Sequence, residues 1–349
     1  MESNKKEISK NKSGCCSSCV PEIQKVSTIL NWMDKWEAFK LRCSIGRMHS
    51  TIEPGLYATG NPDKKSIVLV TANYKLSFNA LRSSLNGIDA WIMVLDTKGI
   101  NVWCAAGKGS FGTDEIVKRI EQTGLKEIID HRKLIVPQLG ATGVAAHEVK
   151  KRSGFSVIYG PVRASDIPIF LESGMLATPE MRKVNFTLYD RIILIPVEFV
   201  VGIKFLFMII IPFYLISGFH KGAYSIDNML KTGCQSTLLL FFAFLSGTVM
   251  TPILLPWLPG RSFSLKGLFS GLILLVVLYI TDFMQLNYIE LSAWALIITA
   301  ISSFTAMNFT GASTYTSLSG VKKEMRIAIP LQITAAIAGA ILWITGRFI

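Results

Sequence analysis

The sequence has little charge and few residues that bind metals or form disulfides. Only 17% of the 349 residues are charged, and the chain has six cysteines and four histidines. Together with a hydrophobic content of 50%, this disfavours a disordered chain, a disulfide-stapled scaffold and an ordinary soluble enzyme. The histidines have no metal-ligand spacing; they are His49, His131, His147 and His220.

Two further signals are absent. Nothing before residue 60 has the apolar core of a secretory signal peptide, so we expect the N-terminal half to stay in the cytoplasm. The net charge of +12 would suit a nucleic-acid partner, but the basic residues form no aromatic-rich stripe and no known nucleic-acid module. We therefore expect no nucleic-acid partner.

Apolar residues are concentrated after Arg191. Five apolar stretches follow this residue, each near the ~20 residues that a helix needs to cross a bilayer. We therefore expect an all-α transmembrane domain of five helices over residues 191–349. The stretches run over about 195–217, 235–258, 264–281, 288–310 and 327–345.

Basic residues flank these stretches unequally. One side of the five stretches has three basic residues, Lys221, Lys231 and Arg347, and the other side has eight. By the positive-inside rule, the richer side faces the cytoplasm, which predicts a multi-pass protein of the cell (inner, cytoplasmic) membrane with its C-terminus outside. The richer side has Arg182, Lys183, Arg191, Arg261, Lys266, Lys322, Lys323 and Arg326.

The N-terminal half alternates short apolar runs with helical or glycine-rich segments. Continuous apolar strands separated by crossovers predict a parallel α/β sheet. Polar residues follow each predicted strand, where such sheets bind ligands, although any one set also fits an ordinary turn. The strands are predicted at 66–71, 90–95, 133–137 and 155–159, and helices at 113–122 and 167–171. The polar sets are Thr71-Ala72-Asn73-Tyr74-Lys75, Asp96-Thr97-Lys98-Gly99, Gln138-Leu139-Gly140 and Gly160-Pro161-Val162-Arg163.

The most informative segment is 99–112, GINVWCAAGKGSFG. Asn101 is a good N-cap, which makes Cys104 the third residue of a short helix that ends near 107–109. A cysteine there faces unpaired N–H groups and the positive end of the helix dipole, an arrangement that favours an anionic sulfur. The small residues that follow Cys104 leave room for a flat ligand to approach the backbone.

Residues 101–108, NVWCAAGK, match the cap-helix motif of the mercury-methylating corrinoid protein family (HgcA-type) at every position, and the segment resembles that family. The similarity extends over about 66–198, and the family also joins such a domain to membrane helices. The same domain resembles the large subunit of the corrinoid iron–sulfur protein of the acetyl-CoA pathway. That protein has an added barrel domain, no membrane helices and typically no cysteine at the position of Cys104.

The resemblance implies a Rossmann-like α/β corrinoid-binding domain joined to the five-helix transmembrane domain. It implies a cobalamin-type corrinoid as cofactor, with Cys104 as the catalytic residue and lower axial ligand of cobalt. The expected domains are a tail with a short helix (1–45), the cytoplasmic corrinoid domain (46–190) and the membrane domain (191–349). The cofactor-binding residues that it implies are Thr71, Asn73, Thr97, Asn101, Val102, Trp103, Cys104, Ala105, Ala106, Gly107, Lys108, Gln138, Leu139 and Gly140.

The family's activity implies transfer of a methyl group from cobalt to inorganic Hg(II), forming methylmercury. A folate-type methyl donor, or its methyltransferase, would restore the methyl group. A ferredoxin-like iron–sulfur protein would supply electrons and hand over mercury. Two alternatives stay open: a membrane-bound methyl carrier for another acceptor, and a non-catalytic corrinoid-binding or transport protein.

Two further features lie in the N-terminal part of the sequence. Cys15, Cys16 and Cys19 lie in a Lys-rich segment that reads as a tail without a specific site, as soft ligands that handle Hg(II), or as part of an iron–sulfur cluster. Residues 33–41 predict an amphipathic helix on the α/β domain or on the membrane, and we favour the domain surface.

Overall fold

The chain divides into two compact units. The computed structural model describes residues 23–47, 49–284, 287–312 and 318–348. The described parts of residues 1–31 and 48–183 form one unit, the sheet unit, and those of residues 32–47 and 184–349 form the other, the helical unit. The predicted tail with Cys15, Cys16 and Cys19 lies outside the described residues.

The sheet unit is built on a six-stranded mixed sheet in the order β1-β2-β4-β3-β5-β6. Its two central strands, β3 and β4, are buried at every residue, as expected for apolar strands that are covered on both faces. The four predicted strands are confirmed as β3 to β6; β4 has the predicted ends, and the ends of the other three differ by at most two residues. The strands are β1 (Gln24–Lys25), β2 (Gly55–Thr59), β3 (Val68–Ala72), β4 (Ala90–Leu95), β5 (Lys133–Val136) and β6 (Ser156–Tyr159).

The sheet is not parallel throughout. β3 to β6 pair in parallel, but β2 pairs antiparallel with β4, so the predicted all-parallel sheet is wrong at this edge. The sequence gives no strong signal for β2, because Gly55, Tyr57 and Thr59 interrupt any continuous apolar run. Its pairing with β4 depends on a contact between residues more than 30 positions apart in the chain.

Helices and apolar clusters cover both faces of the sheet. One cluster joins the sheet to Ile116 and Val149, and the other joins it to Phe78 and Phe170. Each fully buried side chain of this size contributes about 1.5–3 kcal/mol, so the sheet is held between two apolar layers. The helices are α2 (Lys75–Ser84), α3 (Val102–Lys108), α4 (Thr113–Gln122), α5 (Leu125–Ile128), α6 (Ala146–Ser153) and α7 (Ile167–Glu172), with 3₁₀ turns at Gln138–Gly140 and Ala164–Asp166.

The helical unit confirms the predicted long apolar helices. In the described part of the chain, five helices are long and apolar enough to cross a membrane. The second begins nine residues before the predicted 235, because its polar first turns are helical although they are not apolar. The helices are α8 (Leu188–Ile192), α9 (Ile195–Ile216), α10 (Ile226–Leu245), α11 (Thr251–Leu254), α12 (Phe263–Ile280), α13 (Tyr288–Ala312) and α14 (Leu318–Phe348); a π turn spans Ser246–Met250, and β7 (Phe219–His220) pairs with β8 (Ala223–Tyr224).

The short N-terminal helix α1 (Trp32–Arg42) is present, close to the predicted 33–41. It groups with the helical unit, although its sequence position lies between β1 and β2 of the sheet unit. This grouping does not favour the expectation that it lies on the α/β domain, which stays untested, and Leu41 is its one buried residue.

Candidate functional site

The predicted polar sets lie at one edge of the sheet. Because β3 to β6 are parallel, their carboxyl ends point to the same side, and Asn73, Thr97, Gln138 and Gly160 follow those ends. Thr71 is still within β3 and is buried. The geometry therefore gathers these residues at the edge where open α/β sheets bind ligands.

Asn73 organises the loop that follows β4. Its Oδ1 atom accepts hydrogen bonds from Thr97 N at 3.1 Å, from Thr97 Oγ1 at 2.8 Å and from Gly99 N at 3.0 Å. Both Asn73 and Thr97 are buried. These oxygens are thus used within the protein, where they hold the loop that leads into α3.

The loop itself has an uncommon backbone. Lys98 and Gly99 both have positive φ, at 56° and 71°, and a lysine adopts this left-handed conformation rarely. Lys98 N donates to Asp96 Oδ1 at 3.1 Å, while Asp96 N donates to Glu115 Oε1 at 3.0 Å. The tight turn is therefore fixed from both sides before α3 begins.

The short helix predicted after Asn101 is confirmed as α3. Asn101 is its N-cap and accepts a hydrogen bond from Cys104 N at 2.9 Å, and Cys104 is the third helical residue. Gly109 ends the helix in the left-handed conformation, with φ at 83°. An Asn N-cap contributes about 1 kcal/mol to a helix. The start of α3, and with it the position of the Cys104 backbone, is therefore fixed by a residue only three positions away.

α3 has two distinct faces. Val102, Ala105 and Ala106 are buried and join the apolar cluster on one side of the sheet. Cys104 and its near neighbours along the helix, Gly107 and Lys108, are exposed, and Trp103 is half-buried. The helix thus presents a thiol on a surface that is almost free of side chains.

The turn at residues 140–143 packs closely against α3 and the segment that follows it. A Cβ atom on Gly143 would lie 2.3 Å from Phe111 O and 3.0 Å from Ala106 O, and one on Gly140 would lie 2.4 Å from Phe111 Cε1. Phe111 is completely buried. The turn can therefore approach α3 only because both positions are glycine. Sequence reasoning singled out Gly140 but missed Phe111, for which the Gly-x-x-Gly spacing of 140–143 was the available signal.

The residues at this edge fit a corrinoid. Two buried polar atoms, Ser110 Oγ and Gln138 Oε1, have no hydrogen-bond partner, and a corrin ring carries many amide groups that pair with such atoms. A Cβ on Gly107 would meet nothing within 4 Å, so this face is open to a flat ligand. In the described residues no group of three or more His, Cys, Asp or Glu is placed to hold a metal ion. A lone thiol suits a metal whose other ligands come from a macrocycle.

Known proteins resemble this part of the chain. A family model described as CO dehydrogenase/acetyl-CoA synthase delta subunit matches residues 29–171. The acetyl-CoA decarbonylase/synthase complex subunit gamma of Methanopyrus kandleri is 35% identical over 132 residues, which are 37% of this chain and 28% of that protein. Its namesake from Methanocaldococcus jannaschii is 31% identical over 153 residues, which are 42% of this chain and 31% of that protein.

The chain thus spans less than a third of the length of these curated relatives. The match covers α1 and β2 to β6 and leaves the long apolar helices outside it. The names support the resemblance to the acetyl-CoA pathway protein. The resemblance to the mercury-methylating family, and the roles of the individual site residues, stay predictions.

Proposed function

We propose that the sheet unit is a Rossmann-like domain that binds a cobalamin-type corrinoid against α3, and that the chain is a membrane-anchored corrinoid-dependent methyltransferase that forms methylmercury from Hg(II). The observation that carries the proposal is the N-capped, exposed Cys104 beside the open Gly107 surface at the ligand-binding edge of the sheet. When bound, a corrinoid would supply a methyl group for transfer to the electrophilic Hg(II), and the thiolate of Cys104 would be the protein group that holds its cobalt.

The chain's own residues then have separable roles. Cys104 would supply a sulfur ligand to the cobalt, and Asn101 fixes the backbone of Cys104 by accepting a hydrogen bond from its N–H. Gly107 leaves room for the ring, while Ser110 and Gln138 offer polar atoms to its amide groups. Asn73 and Thr97 act indirectly, because their hydrogen bonds hold the loop before α3 and are not directed at the ligand.

The partners in this proposal follow from the same resemblance. A ferredoxin-like iron–sulfur protein provides electrons, and a folate-type donor provides the methyl group. Binding of Hg(II) by the soft thiolates of Cys15, Cys16 and Cys19 stays one of the alternatives for a segment that lies outside the described residues. The helical unit anchors the protein, with the sheet unit in the cytoplasm and the C-terminus outside, as the basic residues beside the helices favour.

A second candidate function has its own support. The relatives are named as subunits of the acetyl-CoA decarbonylase/synthase complex, which favours a membrane-bound corrinoid methyl carrier whose acceptor is not mercury. The two candidates share the cofactor and Cys104 and differ in the acceptor. Only an assay with the acceptor itself separates them.

Cys104→Ala tests two parts of the proposal together: the binding of the corrinoid through Cys104, which both candidate functions share, and the methylation of Hg(II). The substitution removes the proposed axial sulfur, so the visible spectrum of the bound cobalamin should change and methylmercury formation from Hg(II) should fall to background. The measurements are the cobalt absorption spectrum of the full-length protein and a methylation assay with Hg(II).

Cys234→Ala is the matched control, because Cys234 is also an exposed free cysteine but lies on α10. It should leave both readouts unchanged. A normal spectrum and full activity in Cys104→Ala would overturn the role of the thiol. A changed spectrum in Cys104→Ala, with no methylmercury from the unsubstituted protein under any condition, would favour the carrier.

A further inference from the structure

Helix α1 turns its aromatic side away from the protein. Trp32, Trp36 and Phe39 are 77%, 52% and 52% exposed. Their spacing of four and then three residues places them along one face of the helix. The rings of Trp36 and Phe39 stack with centroids 5.5 Å apart, so the face is one continuous aromatic stripe.

The opposite side of α1 faces the protein and is largely acidic. Leu41 is buried, and Asp34 and Glu37 are half-buried. A helix on a water-soluble surface has the reverse arrangement, with its apolar stripe turned to the core and its charges turned to solvent. α1 is therefore oriented for surroundings in which large aromatic side chains are favoured on the outside.

Basic residues flank the aromatic stripe on both sides. Lys35 precedes Trp36 and Lys40 follows Phe39, which at about 100° per residue places one on either side of the stripe. Arg42 lies on the same side as Lys35, and both of these are exposed. A stripe of Trp and Phe between Lys and Arg is complementary to the surface of an anionic bilayer, where rings enter the acyl boundary and cations meet phosphates.

The position of α1 within the helical unit agrees with such a surface. Residues 32–47 group with the five long apolar helices. Arg47, just after α1, lies close enough to interact electrostatically with Glu198, which is in the first turn of α9. Since α9 belongs to a candidate span that begins at Leu188, the C-terminal end of α1 lies near the N-terminal part of that span.

We propose that α1 is an interfacial helix that lies in the surface of the bilayer crossed by the five long helices, with Trp32, Trp36 and Phe39 in the acyl boundary and Lys35, Lys40 and Arg42 at anionic headgroups. The occupant of the aromatic face is phospholipid. The proposal needs the five helices to span a membrane, but it does not depend on the corrinoid or on Hg(II).

The test uses the full-length protein in vesicles of phosphatidylcholine and phosphatidylglycerol. Trp32→Phe/Trp36→Phe keeps the ring character of the face but removes both indoles, so the emission of the unsubstituted protein minus that of the variant reports these two residues. This difference emission should fall about twofold when the lipids are brominated near the headgroup end of their chains, and it should resist quenching by aqueous acrylamide.

Trp91→Phe provides the matched control. Trp91 is buried in the sheet unit, so its difference emission should respond to neither quencher. Difference emission from Trp32 and Trp36 that acrylamide quenches and brominated lipid does not would overturn the proposal. So would protection from acrylamide without quenching by brominated lipid, because a protein partner or a second copy would then cover the face.

A charge variant tests the headgroup part without changing an aromatic residue. Lys35→Gln/Lys40→Gln/Arg42→Gln should weaken quenching by brominated lipid in phosphatidylglycerol-rich vesicles and leave it unchanged in pure phosphatidylcholine. Quenching of the variant in phosphatidylglycerol-rich vesicles as strong as that of the unsubstituted protein would overturn the role of the basic residues. Far-ultraviolet circular dichroism of each variant reports whether the chain is still folded.

Discussion

Buried polar side chains do different work in the two units. In the sheet unit, one oxygen of Asn73 gathers two backbone N–H groups and a hydroxyl, and so fixes a loop that leads to the exposed thiol. In the helical unit, Ser302 Oγ donates to Gly267 O at 2.8 Å and lies within hydrogen-bond distance of Ser246 Oγ, at 3.0 Å, which ties one helix to its neighbours. Polar burial shapes a site in the first unit and joins helices in the second.

The surroundings of glycine residues also differ between the two units. A Cβ on Gly267 would lie 2.5 Å from Ala306 Cβ and 2.5 Å from Ser302 O, so α12 can pack against α13 only through glycine. Gly107 has nothing within 4 Å of its missing Cβ. The protein's own packing explains the first glycine, whereas the second would be explained by the proposed corrinoid. Paired substitutions in the two units can break this comparison.

Asn73→Ala should give the largest effect. Alanine leaves Thr97 N and Gly99 N buried without an acceptor, whereas the Thr97 hydroxyl still reaches Ile100 O at 2.7 Å. Each orphaned buried donor costs about 1–3 kcal/mol, so the free energy of unfolding of the sheet unit should fall by about 3 kcal/mol. Denaturant titration of the full-length protein in detergent micelles measures the loss.

Ser302→Ala is the comparison in the helical unit. Interhelical hydrogen bonds within membranes contribute about 0.6 kcal/mol on average, so this variant should lose much less stability. Asn73→Asp should recover most of the loss of Asn73→Ala, because it keeps an acceptor oxygen. Equal losses for Asn73→Ala and Ser302→Ala would contradict the distinction between loop shaping and helix joining.

Gly267→Ala should destabilise the helical unit by about 1–2 kcal/mol. Overpacking costs about 1–3 kcal/mol, and the gain in helix propensity from alanine, up to about 1 kcal/mol, offsets part of that cost. The cobalt spectrum should not change, because the contact lies between α12 and α13. A changed spectrum with unchanged helix stability would mean that this glycine serves the site rather than the packing.

The elements that could be predicted from the sequence are those whose limits depend on residues close together in the chain. The limits of α3 follow from Asn101 at one end and Gly109 at the other, and both act within one turn of the helix. The strands β3 to β6 follow from continuous apolar runs, which central strands require. The polar residues at their carboxyl ends were predicted for the same reason, since parallel strands place those ends together.

The parts that were missed depend on distant contacts. β2 forms because β4 offers it an edge, and its own residues alone do not distinguish a strand from a loop. Phe111 matters because Gly140 and Gly143 approach it from a turn about 30 residues further along the chain. For α1 the pattern gives an apolar stripe, but only the packed structure shows that the stripe faces outward.

Gly107→Ala should have the smallest effect on stability, and with the opposite sign. Glycine within a helix is about 0.5–1 kcal/mol less favourable than alanine, and the added methyl meets nothing in the protein. The cobalamin-free protein should therefore become slightly more stable, while its affinity for cobalamin, measured by spectral titration, should fall because the methyl occupies the face beside Cys104. Gly109→Ala is the matched control: with φ at 83°, the same substitution two residues away strains the backbone and should destabilise the cobalamin-free protein. If Gly107→Ala bound cobalamin as tightly as the unsubstituted protein, the exposed face of α3 would not be the contact surface, and the contrast between the open glycine and the crowded ones would lose its functional meaning.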